Sequence, residues 1–232
     1  MKKLFFIFMI FVVPHSSICQ TLQNRLENFY ADFMKLKGLG KPKCEIEKIK
    51  RTPFFKKHEI YRLYTVGDHG GVGVVVSPSL LEPLRIFNLT DFRSGDFSDF
   101  ADEEKINLSS KKSALEYLIF YLTEIFPEDR GSLRILNSSK ELIDIIDESI
   151  DSYDRSGNSK AMVEKKISER ATLIVPPVVD EREGRYFITL YAWNGGVDGK
   201  LLKYEILLNK AGFIFEINDL IVAPKWGSWK FE

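Results

Sequence analysis

Cysteine and histidine are scarce in this sequence, and neither sign of charge is in excess. The 232 residues include two cysteines and three histidines, and 33 basic side chains balance 33 acidic ones. A chain without a basic surplus does not favour nucleic acid as a partner, because Lys and Arg dominate binding to phosphates. The few Cys and His residues show no zinc-type spacing, so we expect no metal and no cofactor.

Long hydrophobic runs are also missing. One apolar run extends from Leu4 to Val13, directly after two lysines. It is too short for a membrane-spanning helix, which needs about 20 apolar residues. Its layout is typical of a secretory signal peptide, and Ser17 and Cys19 are the small residues expected before the cleaved bond. We therefore predict a signal peptide over residues 1–19, which is cleaved after Cys19.

A lipid anchor on Cys19 is the alternative. Ile18 and Ser16 do not fit it, because a lipoprotein signal has a small residue directly before the cysteine and a branched apolar one three positions upstream. Cleavage after Cys19 leaves Cys44 as the only cysteine, so the mature chain has no internal disulfide and must be held by its core. About 210 residues suffice for that. This poverty in cysteine favours a bacterial periplasm or cell surface.

Local catalytic motifs are absent as well. No Gly-x-Ser-x-Gly sequence occurs. The glycines of "VGDHGGVG", around Asp68 and His69, invite a phosphate-loop interpretation, but that motif needs a helix after it, whereas "VGVVVSP" continues as a strand. We predict a hairpin turn there. Missing motifs favour a non-enzymatic protein, although a catalytic triad can also be assembled from distant residues.

Periodic apolar residues are what the sequence does contain. A helical stripe runs from Leu22 to Leu36 and ends at Gly38 and Gly40. Short β-branched and aromatic runs follow and indicate strands. Two further helices are predicted over residues 111–126 and 139–153, and a second series of strands over residues 171–222.

The two strand series share landmarks in the same order. The first contains a proline with a charged turn at Pro53, then Leu-Tyr, Gly-Gly-Val and "IFNLTDF"; the second repeats these from Pro177, ending in "IFEINDL". We therefore predict an α+β fold of two tandem units, each a helix or helix pair packed on a four-stranded, mainly antiparallel β-sheet. The units would span residues 20–107 and 108–232, and the acidic, Phe-rich segment from Phe92 to Ser110 would connect them.

Candidate functional residues come from strand alternation. In the strand Arg185 to Trp193, one face carries Tyr186 and Ile188, and the other carries large aromatic side chains. If helices cover only one face, these rings are exposed and form a partner-binding surface, since aromatics and arginine anchor interfaces. The alternative is that they are ordinary core. The candidate partner-binding residues are Arg62, Tyr64, Phe187, Tyr191, Trp193, Trp226 and Trp229.

In outline, this tandem helix-plus-sheet arrangement resembles the secreted β-lactamase inhibitor proteins, which implies a sheet surface that grips an enzyme. We expect an exported, non-enzymatic protein-binding module, such as an inhibitor or a periplasmic immunity protein. One alternative is a hydrolase or small-ligand-binding protein with a cleft between the units, using Asp68, His69 and the acids of the connector. Another is a structural envelope lipoprotein.

Overall fold

A computed structural model describes residues 15–36, 38, 43–49, 54–65, 71–76, 86–89, 92–125, 133–151, 174–194 and 200–223. These ranges contain four α-helices, one π-helical turn and nine strands in two antiparallel sheets. The α+β class predicted from the sequence is therefore confirmed. The tandem duplication of two units stays a prediction.

The first sheet is a meander of four strands. They are β1 (Cys44–Lys48), β2 (Glu59–Thr65), β3 (Gly71–Val76) and β4 (Ile86–Asn88), and each is antiparallel to the next. Helix α1 (His15–Leu36) covers one face, where its Leu26 and Tyr30 pack on Leu63. Gly38 ends the helix turn, since its φ of 72° is left-handed and its N–H donates to the carbonyl of Lys35 at 3.0 Å.

A central helical layer follows in the chain. It consists of α2 (Gly95–Glu104), α3 (Lys111–Phe120) and the π-helical turn Tyr121–Ile125. Ser94 caps α2 by accepting from the N–H of Phe97, and Ser110 and Ser113 form a capping box at the start of α3. Both caps satisfy N–H groups that have no partner within their helix.

The second sheet has five strands. They are β5 (Leu133–Leu136), β6 (Val178–Arg182), β7 (Arg185–Asn194), β8 (Lys200–Asn209) and β9 (Ile214–Ala223). Strands β7, β8 and β9 are neighbours in that order, while β5 and β6 pair with successive parts of β7. Helix α4 (Ser139–Asp151) lies between β5 and β6 in the chain.

One apolar core joins the two sheets. Its buried members come from the first sheet (Ile60, Phe87), from α2 and α3 (Phe100, Tyr117) and from the second sheet (Ile188). Tyr117 donates to the carbonyl of Gly212 at 3.1 Å, and Tyr186 donates to that of Leu108 at 2.8 Å. The side chains of these residues fill the space between the sheets, whereas one alternative prediction placed a ligand-binding cleft between the two units.

The acidic segment Phe92 to Ser110, predicted as a connector, contains a helix that the sequence analysis did not predict. This helix, α2, buries Phe97, Phe100 and Ala101 in the core.

One expectation about local structure was wrong. Phe87 in "IFNLTDF" and Phe215 in "IFEINDL" hold the same place in the two strand series, so the predicted repeat implies that they face alike. Phe87 is fully buried whereas Phe215 is 47% exposed, because a β-bulge in the pairing of β8 with β9 shifts the register at that point.

Within the described ranges, no helix is both long enough and apolar enough to cross a membrane.

Candidate functional site

The alternation of β7 follows the pattern predicted from the sequence. Tyr186, Ile188, Leu190 and Ala192 are buried and face the central helices. On the opposite side, which we call the outer face of the second sheet, Phe187 is 43% exposed. The helices of the central layer therefore cover one face of this sheet, and part of the other is open.

Helix α4 covers the far end of that outer face. Trp193 is only 5% exposed and packs with Leu136, Leu142, Ile174 and Leu201. Its expected place on an exposed surface is therefore wrong, because α4 folds back over the end of β7 and encloses the indole in a second small core. Tyr191, one pleat nearer the open end, is half-buried against the same cluster.

Beyond α4 the outer face is open and rich in large apolar side chains. Val178 is 54% exposed, Phe215 is 47% exposed and Leu220 is 54% exposed, and they lie on the same face as Phe187. The register places Phe187 opposite Leu207, and Leu220 opposite Lys203. We name the set of Val178, Phe187, Phe215 and Leu220 the outer-face patch.

Two arginines lie over the aromatic rings of the patch. The guanidinium carbon of Arg182 is 5.8 Å from the ring centre of Phe187, and that of Arg185 is 5.1 Å from the ring centre of Phe215. In such cation–π contacts the positive guanidinium is attracted to the electron-rich face of the ring. Arg182 also bonds the carboxylate of Asp180, which holds the pKa of Asp180 below its usual range. Aromatic and guanidinium groups are therefore combined on one open surface.

The other candidate residues lie elsewhere. Arg62 is in the first sheet, where its side chain is 15% exposed and its guanidinium bonds the carboxylates of Glu47 and Glu124, each at 3.0 Å. It also donates to the carbonyl of Glu124 at 2.9 Å and so ties β2 to the π-helical turn. Tyr64 lies nearby, and a hydrogen bond with Glu45 raises the pKa of its hydroxyl. Trp226 and Trp229 fall outside the described residues, as do Asp68 and His69.

A cluster that the sequence did not reveal surrounds Glu104, the last residue of α2. Its carboxylate accepts from the backbone N–H groups of Lys56 (2.7 Å), Lys57 (3.0 Å) and His58 (2.7 Å), and it lies 2.6 Å from Nδ1 of His58. The Glu104 side chain has no exposed surface. Three successive N–H groups thus surround one buried carboxylate, which ties the loop before β2 to the central layer.

His58 shares in this tie and is itself enclosed. It is 4% exposed, and its Nε2 lies 3.3 Å from the carboxylate of Glu103. The rings of Phe87 and Phe100 are edge-on to the imidazole, with distances of 5.6 and 5.3 Å between ring centres. A histidine beside a carboxylate is also part of a catalytic triad, but here each ring nitrogen faces a carboxylate and the His58 side chain is only 3% exposed. The cluster therefore has a structural role.

A sequence signal for Glu104 did exist. Phe97, Phe100, Ala101 and Glu104 follow a spacing of three, one and three residues, which is one face of a helix, and Ser94 stands at the capping position. A glutamate on the apolar stripe of a helix marks a buried carboxylate that must have partners. The partners themselves come from a loop more than 40 residues away, so the sequence could not name them.

In the part of the chain that the structure describes, no group of three or more His, Cys, Asp or Glu side chains could hold a metal ion. Burial, aided by the nearby Glu27 carboxylate, raises the pKa of the Cys44 thiol to about 11. The thiol is therefore protonated at neutral pH and is a poor nucleophile.

No protein-family model, no curated protein and no solved structure matches this chain.

Proposed function

We propose that this chain is an exported, non-enzymatic protein-binding module whose contact surface is the outer-face patch. One observation carries the proposal. Among the described residues, seven large hydrophobic side chains are exposed, and four of them lie on the outer face of the second sheet, Val178, Phe187, Phe215 and Leu220. Exposed apolar side chains that cluster rather than scatter are typical of interaction sites.

The composition of the patch supports a protein as the partner. Phenylalanine and arginine are enriched in the centres of protein interfaces, where a few such side chains supply most of the binding free energy. Arg182 and Arg185 are already held over rings, so little side-chain freedom is lost when a partner covers them. The four patch residues stand on strands that are paired along their length, which makes the surface rigid.

Trp193 has a different part in this proposal. Enclosed beneath α4, it anchors one end of β7 and so helps to fix the sheet on which Phe187 stands. Replacing Trp193 is therefore expected to damage the fold, and replacing Phe187 is expected to damage binding.

Export and duplication belong to the same proposal. The charged start and short apolar run of residues 1–19 support export, and Edman sequencing of the protein recovered from a native envelope would test it. An N-terminus at Gln20 is expected, and an N-terminus at Met1 would contradict export by this signal.

Duplication is supported by the fact that β1–β4 and β6–β9 are each four consecutive antiparallel strands.

The binding surface is tested by paired variants. Native envelope extract is passed over immobilised wild type, over the double variant Phe187→Ala/Phe215→Ala and over Leu36→Ala. Leu36 is a matched control because it is 89% exposed on α1, away from the patch. We expect the patch variant to lose at least about tenfold of the partner retained by wild type, since two interface aromatics each contribute about 1 kcal/mol or more, while the control keeps it. Equal retention by all three folded proteins would contradict the proposal.

A further inference from the structure

Strand β9 differs from every other edge strand of the two sheets. The edge strands β1, β4, β5 and β6 have 5, 3, 4 and 5 residues, whereas β9 has 10. In the ranges that the structure describes, β9 pairs with β8 alone. Proteins keep edge strands short because a row of unpaired N–H and C=O groups can capture another chain. A ten-residue edge can therefore serve as a template for an added strand.

The second half of β9 is open on both faces of the sheet, since residues 218–221 are all exposed. Leu220 is 54% exposed and Ile221 is 53% exposed, and as successive residues of a strand they project to opposite faces. Between the two register shifts in its pairing with β8, the stretch from Glu216 to Ile221 has regular geometry. An added strand would find an uninterrupted backbone there and would cover apolar surface on both faces.

The charge of β9 indicates what kind of strand it can accept. It carries Glu216 and Asp219, both exposed, and no basic residue. Glu216 stands opposite Leu207, on the outer face, and Asp219 stands opposite Tyr204, on the inner face. A second copy of this chain would bring four carboxylates and no cation into one ladder, and like charges across strands are destabilising. A strand with Lys or Arg at matching positions would neutralise both acids.

We propose that β9 binds an extended, basic segment of a partner protein by strand addition, with two cationic side chains three positions apart that meet Glu216 and Asp219. This site requires the open backbone of β9 and its two acids. It shares Leu220 with the outer-face patch but does not require Phe187 or Phe215, so variants of those two residues separate the two proposals. The rest of the added segment would be β-branched or apolar, to cover Leu220 and Ile221.

The test uses fluorescence anisotropy with labelled ten-residue peptides of threonine and valine. One peptide has two lysines three positions apart, the second has glutamates at the same positions, and the third is the lysine peptide with alternate backbone nitrogens methylated. We expect the full-length protein to bind the lysine peptide at least about tenfold more tightly than either other peptide, because two cross-strand charge pairs change sign or the ladder hydrogen bonds are lost.

Protein variants complete the test. Glu216→Lys/Asp219→Lys is expected to weaken lysine-peptide binding about tenfold or more and to gain binding of the glutamate peptide. Asp102→Lys/Glu116→Lys, which changes two exposed acids of the central layer by the same charge, should bind as wild type does. Phe187→Ala/Phe215→Ala should also bind the lysine peptide normally, so a failure of the patch proposal would not be mistaken for a failure of this one.

Hydrogen exchange gives an independent readout. Bound lysine peptide should slow amide exchange in β9 and leave α1 unchanged. The proposal is overturned if the lysine and methylated peptides bind equally, if the charge-reversed β9 variant binds the lysine peptide as wild type does, or if the slowed amides lie outside the second sheet. Absence of lysine-peptide binding at millimolar concentration would overturn it as well.

Discussion

Replacing the buried carboxylate of Glu104 should destabilise the protein far more than replacing its neighbour Glu103. The two residues are adjacent in the chain and identical in chemistry, so they form a matched pair. Glu104 has no exposed side-chain surface and holds three backbone N–H groups and the ring of His58. The Glu103 side chain is 41% exposed and meets His58 at 3.3 Å.

The expected magnitudes follow from burial. Removing one partner of a buried, hydrogen-bonded charge costs about 3–5 kcal/mol, because the remaining polar groups are left without partners in the interior. We therefore expect Glu104→Ala to lower the free energy of unfolding by about 3–5 kcal/mol. An exposed ion pair contributes about 0–1 kcal/mol, which is the loss expected for Glu103→Ala. Since a domain is stable by only about 5–15 kcal/mol, the first loss is severe and the second is small.

Glu104→Gln separates charge and hydrogen bonding from shape. The amide has nearly the shape of the carboxylate, but it offers one acceptor oxygen and turns two N–H donors toward a site that is lined with donors. We expect it to cost about 2–4 kcal/mol, which is most of the loss in the alanine variant. If the side chain acted mainly by filling space, the glutamine variant would be close to wild type.

Urea unfolding at pH 7, followed by circular dichroism and tryptophan fluorescence, measures these differences. The expected result is a midpoint that falls strongly for both Glu104 variants and by a small amount for Glu103→Ala, with unchanged slopes. Equal losses for Glu103→Ala and Glu104→Ala would refute the assignment of the buried role to Glu104. A loss below about 1 kcal/mol for Glu104→Gln would refute the argument from unpaired donors.

Three further predictions concern other parts of the fold. A Cβ on Gly212 would lie 2.8 Å from Cγ2 of Ile106, and the φ of Gly212 is 80°, so Gly212→Ala should lower the free energy of unfolding in urea by about 2–4 kcal/mol. Gly184 has a φ of 72° but open space around it, so Gly184→Ala should lower it by about 1 kcal/mol. A larger loss for Gly184→Ala than for Gly212→Ala would contradict the contact with Ile106. The thiol of Cys44, with its pKa raised to about 11, should react with iodoacetamide at pH 8 about a hundredfold more slowly in the folded protein than in urea; equal rates would show that it is not held protonated. Burial raises the pKa of Tyr117 well above its usual range, so the hydroxyl keeps its proton in the folded protein at a pH where the unfolded chain releases it, above about pH 10. The contribution of Tyr117 to the free energy of unfolding should therefore be full below that pH and decrease above it. Tyr117→Phe should make the loss of stability between about pH 9 and 11 less steep.

Elements with a strong local period were predictable. The apolar stripe of α1 and its end near Gly38, the start of α4 at Ser139 and the alternation of β7 all follow from spacing that a short window of sequence contains. Strand β7 buries one face along its length, and the stripes of α1 and α4 bury Leu26, Tyr30 and Leu142, so period and burial agree at these residues. Even so, Leu36, at the end of the stripe of α1, is 89% exposed.

Elements whose environment comes from distant parts of the chain were not predictable in the same way. Helix α2 was hidden by its acidic composition, although its buried residues keep a helical spacing. Trp193 alternates in sequence with buried residues and should face solvent, yet α4 covers it. Phe215 resembles Phe87 in its local sequence but is turned outward by a bulge in its pairing with β8.

By itself, the sequence determined the α+β class and the one-sided burial of β7. It also showed which apolar stripes must be buried against another element, because side-chain spacing along one helix or strand is a local property. The tertiary structure alone decided which stripe is covered by which element. It enclosed Trp193 beneath α4, gave Glu104 its three backbone donors and left β9 as a long acidic edge. Burial and pairing depend on contacts between residues far apart in the chain, and no local spacing records them.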